Sequence, residues 1–596
     1  MNAERDCHTH FQREGLAIPV PIQHEAVTTT DQSVVDVHYI RVEDWMRVLL
    51  RKCPSMLAGG KDDIQKQLKD FWAMFRWTHG DHEVYKKDPA DLERTLPVML
   101  YADEGKGPKR GNYMITCLES AIGAEPYEGI DCSCSAFVQE HIEHAPVCYG
   151  PLAEVSDATG DLAINISSHS FLTRHFLFGL PDFVYKPHPE VYNHLLQLLA
   201  EELRNVFSSG FLVDGVRWYC ALIAAKGDLK HMNERWGKLT RSYSHLGRKN
   251  HLEMCSMCWA GRLGVPWDSL EHDPVWAPTM FLDRPWLPTE TPALTHCPFD
   301  QSKPEFLYKL DLFHLVKVGI AQDVAGAVVL LARLGLYDDE GQARELKSRL
   351  NRAHGHFVLW TIANNKSPAL RSFTPALFSV KKLSTDIPWS NTKGSDSVLL
   401  VEYLQWYAGV LLTEPQERFQ GSRRLFKLLR TTTTHCLEML HICYSHGLFL
   451  DRVCAQSFYL RTMAFLSGFK ALAREALNLG MLAFGLKPKF HALHHLAFEV
   501  RQVLKSPAPW VLNPACYSCD QGEDVVGKLC ELAQVVSTLT IDKRVIQRHF
   551  LKKAAVVRRY ANYRRSLGMV DAAPLAPESG KARFIRRSIV KMKRKR

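Results

Sequence analysis

The spacing of apolar positions changes along the chain, and each change marks a boundary. Residues 42–53 (VEDWMRVLLRKC) and 64–76 (IQKQLKDFWAMFR) carry apolar side chains at helical spacing and predict a small helical N-terminal domain, 1–91. Residues 1–34 ahead of them are polar and read as a flexible lead-in. From Leu96 the pattern turns mixed. Residues 96–102 (LPVMLYA) and 219–225, inside WYCALIAAKGDLK, are unbroken apolar runs about as long as one buried strand. Residues 113–118, 162–168 (LAINISS) and 211–225 supply strand-like runs, with a helix near 190–206 between them. Together they predict an α/β sheet with antiparallel edges over 92–304, which closes in a Pro- and Trp-rich irregular stretch from 266 to 304.

Beyond residue 305 the period is helical: 306–336, 340–361, 397–412, 422–445 and 455–485. This all-helical block, 305–485, separates the α/β part from a final segment, 486–552, and a basic tail, 553–596. The final segment holds LKPKFHALHH (486–495), NPACYSCDQGEDVVGKL (513–529) and a helix near 535–563. No internal repeat is apparent.

Composition narrows the class. The 596 residues are 46% hydrophobic and 23% charged, as in an ordinary soluble protein, and the length predicts roughly two to four domains. Residues 1–13 are too polar for a secretory signal. The apolar stretch 455–485 carries Arg461, Lys470, Arg474 and Glu475, so it reads as a core helix, and no membrane is expected. Sixteen cysteines without a secretory signal point to reduced thiols and a metal site, not a disulfide framework. Charge is lopsided. Residues 543–596 hold 18 Lys/Arg against Asp571 and Glu578, a net of +16, which leaves −6 for the rest of a +10 chain. Such an arm binds nucleic acid or serves as a nuclear address.

Two carboxylates stand where apolar strands end. Residues 96–102 run into Asp103-Glu104-Gly105, and 219–225 run through Lys226-Gly227 into Asp228. Catalytic groups of α/β sheets gather at such strand ends, although an Asp after Gly is often only a turn or helix cap. If the two strands share a sheet, the pair suits divalent magnesium, a hard cation that takes oxygen ligands. Such a site usually needs a third acid, and Glu523, Asp520 and Asp524 lie together where a late helix begins. Cys255 and Cys258 form a CxxC pair, half of a tetrahedral zinc site, with His231, His245, His251, or His296 with Cys297, as open candidates for the other half. Cys516 and Cys519 repeat the spacing without evident partners, and Cys132, Cys134 and Cys148 show no metal spacing. Asp311 and His314 lie three apart and share a helical face, where Asp311 also suits a cap. His491, His494 and His495 read more simply as packed helix-start histidines than as ligands.

In this order the motifs resemble those of DDE transposases from cut-and-paste DNA transposons, closest to the CACTA (En/Spm-like) type. The resemblance covers roughly residues 96–551. It rests on VMLYADEG with Asp103, AAKGDLK with Asp228, the CxxC of Cys255 and Cys258, the D-x-x-H of Asp311 and His314, the K-P-K-x-H ending at His491, and a later helix carrying Glu523. It implies an RNase H-like mixed-sheet core interrupted by a large helical insertion, with Asp103, Asp228 and Glu523 holding two Mg²⁺ or Mn²⁺ ions for DNA cleavage and strand transfer. The implied partners are the transposon ends and target DNA, with a homo-oligomer among the expectations, and the implied compartment is the nucleus. The motif order does not include an N-terminal zinc finger before Leu96. Two alternatives remain: a catalytically inactive, transposon-derived nucleic-acid-binding protein, and a zinc-stabilised helical scaffold without enzymatic activity.

Overall fold

A computed structural model describes residues 3–124, 162–166, 168–241, 253–338, 340–413, 417–566 and 568–569. The chain is mixed α/β. At its centre is a five-stranded mixed sheet of β3 (Thr95–Lys106), β4 (Asn112–Ser120), β5 (Arg174–Pro181), β6 (Phe211–Val213) and β7 (Val216–Lys226). Its spatial order is β5-β4-β3-β7-β6. β3, β4 and β5 form an antiparallel meander, whereas β7 lies parallel to β3. A parallel neighbour requires a crossover, and the 20-residue helix Pro189–Ser208 supplies it. β6 and β7 are joined by Asp214-Gly215, both with positive φ (48° and 83°), the residue pair that a tight two-residue hairpin turn needs.

The sheet carries a buried ion network of its own. Glu119 on β4 lies 2.7 Å from Lys226 on β7 and 3.2 Å from Arg174 on β5, all three without solvent exposure. Charges this deep are tolerated only when paired, so the network fixes how these strands align. Lys226 also donates to the carbonyl of Ser518, which ties the sheet to the segment just before the helix Asp520–Gln534.

That helix lies along β3. Period-2 alternation puts Tyr101, Asp103 and Gly105 on one face, and the helix packs there with Gly522 over the Tyr101 ring and Cys530 over Gly105. Between sheet and helix in sequence come the helices Leu346–Ala363, Gly394–Thr413, Arg423–Tyr444 and Arg452–Asn478, then Pro488–Leu504. The helical run Phe313–Arg333 is long and apolar enough, by length and composition, to cross a membrane, but 83% of its most apolar window is buried within the chain.

Several expectations need correction. The N-terminal region is not an all-helical domain, and its first residues are not an irregular lead-in. It holds a helix, Ala3–Arg13, and a β-hairpin, β1 (Gln23–Thr28) with β2 (Val34–Tyr39). Its apolar side chains join one core with the sheet: the Trp45 indole donates to the Phe176 carbonyl and Ile40 N–H to that of Leu177. The described residues of 162–168 contribute an isolated bridge, Ile164 to Ile122, while the edge strand is β5. The basic segment is not a free tail from Lys543 or from residue 553. The helix Ile541–Ser566 straps the molecule, burying Arg544, Lys553 and Arg564, and Lys553 donates to the carbonyls of Phe171 and Arg174. Burial pushes Lys553 down to about 7. Residues 571–596, with the remaining cationic cluster, lie outside the described residues, as do Cys132, Cys134, Cys148, His245 and His251.

The close approach of helix and strand gives a test. A Cβ added at Gly522 would stand 2.6 Å from the Tyr101 ring, whereas one at Gly527 on the same helix meets nothing within 4 Å. Helix propensity favours alanine at both by about 1 kcal/mol, but overpacking costs about 1–3 kcal/mol at Gly522 alone. Denaturant unfolding should therefore show Gly527→Ala stabilised and Gly522→Ala destabilised.

Candidate metal centre and acid cluster

Parallel pairing of β3 with β7 sets the first two acids. The ladder's last partners are Tyr101 and Lys226. Asp103 lies two residues beyond Tyr101 and Asp228 two beyond Lys226, on strands roughly 4.8 Å apart. Asp103 is not at the very end of its strand, since β3 continues to Lys106 against β4 alone. Asp228 also caps a helical turn, its Oδ1 accepting the His231 N–H at 2.5 Å.

The third acid arrives from the helix Asp520–Gln534. Glu523 Oε1 accepts the Tyr101 hydroxyl at 3.0 Å, and Tyr101 stands 3.5 Å from Asp103 Oδ2. The two neighbouring acids face elsewhere. Asp520 is held by Lys317 (2.7 Å), Tyr444 (2.6 Å) and Ser518 (2.5 Å), and Asp524 by Ser170 and Lys528, both at 2.5 Å. Of the three, Glu523 meets Asp103.

Asp311 and His314 join this cluster. His314 Nδ1 lies 3.0 Å from Asp311 Oδ2, and its Nε2 points to Glu523 Oε1 at 3.5 Å. Asp103, His314 and Glu523 each place one potential ligand atom within 4.8 Å of the others. Asp228 falls outside that radius but acts on Asp103 electrostatically. Cys519 belongs to a second such group with Asp311 and His314, whereas Cys516 joins neither. Lys489 donates to the Val318 carbonyl at 2.8 Å and is coupled by charge to Asp311 and Asp228.

The electrostatics follow from this crowding. Burial, then Glu523 and then Asp228, pushes the Asp103 carboxyl up to about 9. Burial opposes charge on His314, but Asp311, Glu523 and Asp103 outweigh it and raise the ring to about 9. Carboxyls outnumber cations here, so added positive charge is favoured, as it is at a site where oxygen donors hold a cation.

A second centre lies beside it. Cys255 and Cys258 meet His491 and His495, one turn apart on the helix Pro488–Leu504. Cys255 Sγ is 3.2 Å from His495 Nε2, Cys258 Sγ is 3.3 Å from His491 Nε2 and 3.4 Å from His495 Nε2, and the two Nε2 atoms are 3.0 Å apart. Tetrahedral zinc with ordinary bond lengths would separate its ligand atoms by roughly 3.5 Å, so the set is close to a coordination shell. His491 Nδ1 contacts the Trp267 carbonyl at 2.9 Å, which fixes its tautomer and leaves Nε2 for a metal. Burial opposes charge on Cys255, but hydrogen bonds from Cys258, His491 and His495 hold its thiol well below the ordinary value.

These four residues form a group able to hold a metal ion such as zinc. Among the described residues, the nearby candidates lie elsewhere. His231 sits by the Tyr192 hydroxyl at 3.3 Å, Cys297 is buried 3.8 Å from the Ala200 carbonyl, and neither belongs to the group. The missed signal was the i, i+4 histidine pair, His491 and His495, which puts two rings on one helical face. His491 and His495 are packed against Trp276, as a reading of simple packing expects, and also present their Nε2 atoms to the group. Neither a protein-family model nor a curated protein matches this chain.

The cluster's charge gives a pH test. Asp103 goes from an ordinary 3.8 to about 9 in the fold and His314 from 6.5 to about 9. Each folded group therefore binds a proton the unfolded chain has released. The stability from Asp103 is complete below about 4 and that from His314 below about 6.5, and both are lost as pH rises to about 9. In chelator, the unfolding free energy should fall most steeply between about 6.5 and 9. Asp103→Asn should flatten that fall, and an unchanged slope would remove the assignment.

Proposed function

We propose that this chain is a transposase-like DDE nuclease that cleaves and transfers DNA strands with divalent metal. The observation that carries the reading is the convergence of Asp103, Asp228 and Glu523, separated by hundreds of residues, at one end of the β3–β7 pair. In this reading the mixed sheet is an RNase H-like core, and the helices between Phe313 and Asn478 form an insertion that returns the chain to deliver Glu523.

The donor set fits hard cations, because its potential ligands are carboxylate oxygens that repel one another. Two Mg²⁺ or Mn²⁺ ions held by Asp103, Asp228 and Glu523 would activate a water or 3′-hydroxyl and stabilise the leaving oxygen of a phosphodiester. The chain's own groups set the geometry. Tyr101 orients Glu523 by its hydroxyl, the Glu104 N–H holds Asp103 Oδ1 at 2.6 Å, and the His231 N–H holds Asp228. Asp311 keeps His314 aimed at Glu523, adding a cation that limits repulsion among the acids before metal enters. With no covalent intermediate required, positioning and charge do the chemistry.

Zinc is the metal we assign to Cys255, Cys258, His491 and His495, in a structural role, since all four positions are filled by protein and none is left for substrate. DNA is the assigned partner and the nucleus the assigned compartment, on the charge of residues 543–596.

Two experiments bear on this reading. Asp228→Asn should lower Mg²⁺-dependent strand cleavage by more than about 100-fold while leaving DNA binding and thermal stability nearly unchanged, because it preserves shape and removes charge. Cleavage that survives would sink the nuclease reading. Elemental analysis of purified protein should find one zinc per chain, lost in both Cys255→Ser and His495→Ala; retention in either variant would refute the four-ligand assignment.

A further inference from the structure

Away from the acids, the helices Ala3–Arg13 and Ile541–Ser566 enclose a cleft of about 420 Å³. Its apolar lining is Phe11, Leu551 and Leu532, the last from the end of the helix Asp520–Gln534. Arg544, Arg548 and Lys552 also line it, and their four-residue spacing sets them in one row on one helical face. Like charges at this spacing repel each other. The acid of the same helix, Asp542, is taken by His38 at 2.7 Å. Arg544 is held by Gln547, its Nη1 donating to Oε1 at 2.8 Å, whereas Arg548 and Lys552 pair with no carboxylate among the described residues. Two cations of the row are thus left to a ligand.

His8 adds a second observation. Its ring stacks on Phe550 with 6.2 Å between centroids and is 8% exposed, yet neither nitrogen meets a hydrogen-bond partner among the described residues. Burial, then Arg544 and Lys543, lowers its pKa, so the ring is neutral at physiological pH. A neutral imidazole has one N–H to donate and one nitrogen to accept, and buried polar groups ordinarily find partners. A bare anion would answer the cations and His8 but leave the apolar lining wet. An uncharged apolar molecule would do the opposite. A body of apolar carbon with one anionic end satisfies both, and the volume is within the roughly 300–1,000 Å³ of small-molecule sites.

We propose that this cleft binds a small organic anion with an apolar body, of the class of medium-chain carboxylates. The carboxylate lies against Arg548, Lys552 and the His8 ring, and the chain lies along Phe11, Leu532 and Leu551. The site stands apart from the nuclease reading, since it shares no residue with Asp103, Asp228 and Glu523. Cys7 also lines the cleft and is exposed, whereas every other cysteine among the described residues is buried. Its thiol is a reporter of occupancy, not a ligand.

The test uses the full-length protein and the rate at which N-ethylmaleimide labels Cys7, followed by peptide mass spectrometry. Decanoate, kept below its micellar range, should slow labelling about tenfold once it stands about tenfold above its Kd. Decanol and acetate at the same concentration should leave the rate unchanged. Arg548→Gln and Lys552→Gln should each weaken decanoate about tenfold, with thermal midpoints unchanged in its absence. His8→Phe, which keeps the stack on Phe550 and removes both nitrogens, should weaken it as well. No protection of the unaltered protein by decanoate overturns the proposal without recourse to any variant. Equal protection by decanol or acetate, or a decanoate affinity indifferent to Arg548 and Lys552, overturns it too. So does protection by a DNA duplex or by phosphatidylglycerol vesicles stronger than that by decanoate, which would make the row a contact for phosphate groups.

Discussion

The parallel pairing of β3 with β7 is the constraint on which the rest of the structure depends. It alone places Asp103 and Asp228 side by side, because each stands the same two residues past the ladder's last partners. It is also the costly pairing, since parallel strands cannot be joined by a tight turn and the chain must travel through β4, β5 and a 20-residue helix before it returns. The Glu119–Lys226–Arg174 network runs across this part of the sheet. A slip of one residue would turn these side chains to the other face and leave charges buried without partners, a penalty of several kcal/mol. The register that aligns the acids is therefore protected by ions that take no part in the proposed chemistry.

The same logic extends to the elements that close the site. Lys226 reaches the Ser518 carbonyl, so the sheet's ion network also fixes where the Glu523 helix starts. The KPKFH segment connects three further points: Lys487 pairs with Asp323 at 2.5 Å, Lys489 lies in the field of Asp228 and Asp311, and His491 enters the Cys2His2 group. One short stretch thus links the helical run Phe313–Arg333, the acids and the loop after β7. That explains why its residues sit together in sequence although each serves a different contact.

What the sequence made legible was set by how local each signal is. Residues 96–102 and 219–225 announce buried strands because both faces are apolar, and an acid straight after such a run is conspicuous. β5, RHFLFGLP, begins with Arg174 and His175, which look like surface residues but are buried by partners far away in the chain, Glu119 and Lys553. The β1–β2 hairpin carries an equally weak signal. Its strands are half exposed, and only VVDVHY shows a clear alternation. The histidines that meet Cys255 and Cys258 lie more than 230 residues away, beyond the reach of any local spacing. The third acid was narrowed to three candidates by sequence and separated only by their surroundings: Asp520 and Asp524 are occupied by Lys317 and Lys528, and Glu523 is turned to Asp103.

The balance of charge at the site shows why a cluster of acids is compatible with a stable fold. Asp103, Asp228, Asp311 and Glu523 bring four carboxyls into one region against His314 and Lys489. Left ionised and unopposed, carboxylates a few ångströms apart at an effective dielectric of about 20 would repel by several kcal/mol per pair, comparable with a domain's whole stability. The chain reduces this in two ways. Asp311 is matched by His314, which burial and hydrogen bonding hold in place, and Asp103 keeps a proton in the absence of cations. Both devices are reversible, because a proton on Asp103 can leave when a stronger positive charge arrives. A site built from permanently paired acids, such as Asp520 with Lys317, would have no such capacity. The distinction between an acid cluster that can accept a cation and one already satisfied is therefore visible in the partners of each carboxylate, and it falls on Asp103 and Glu523.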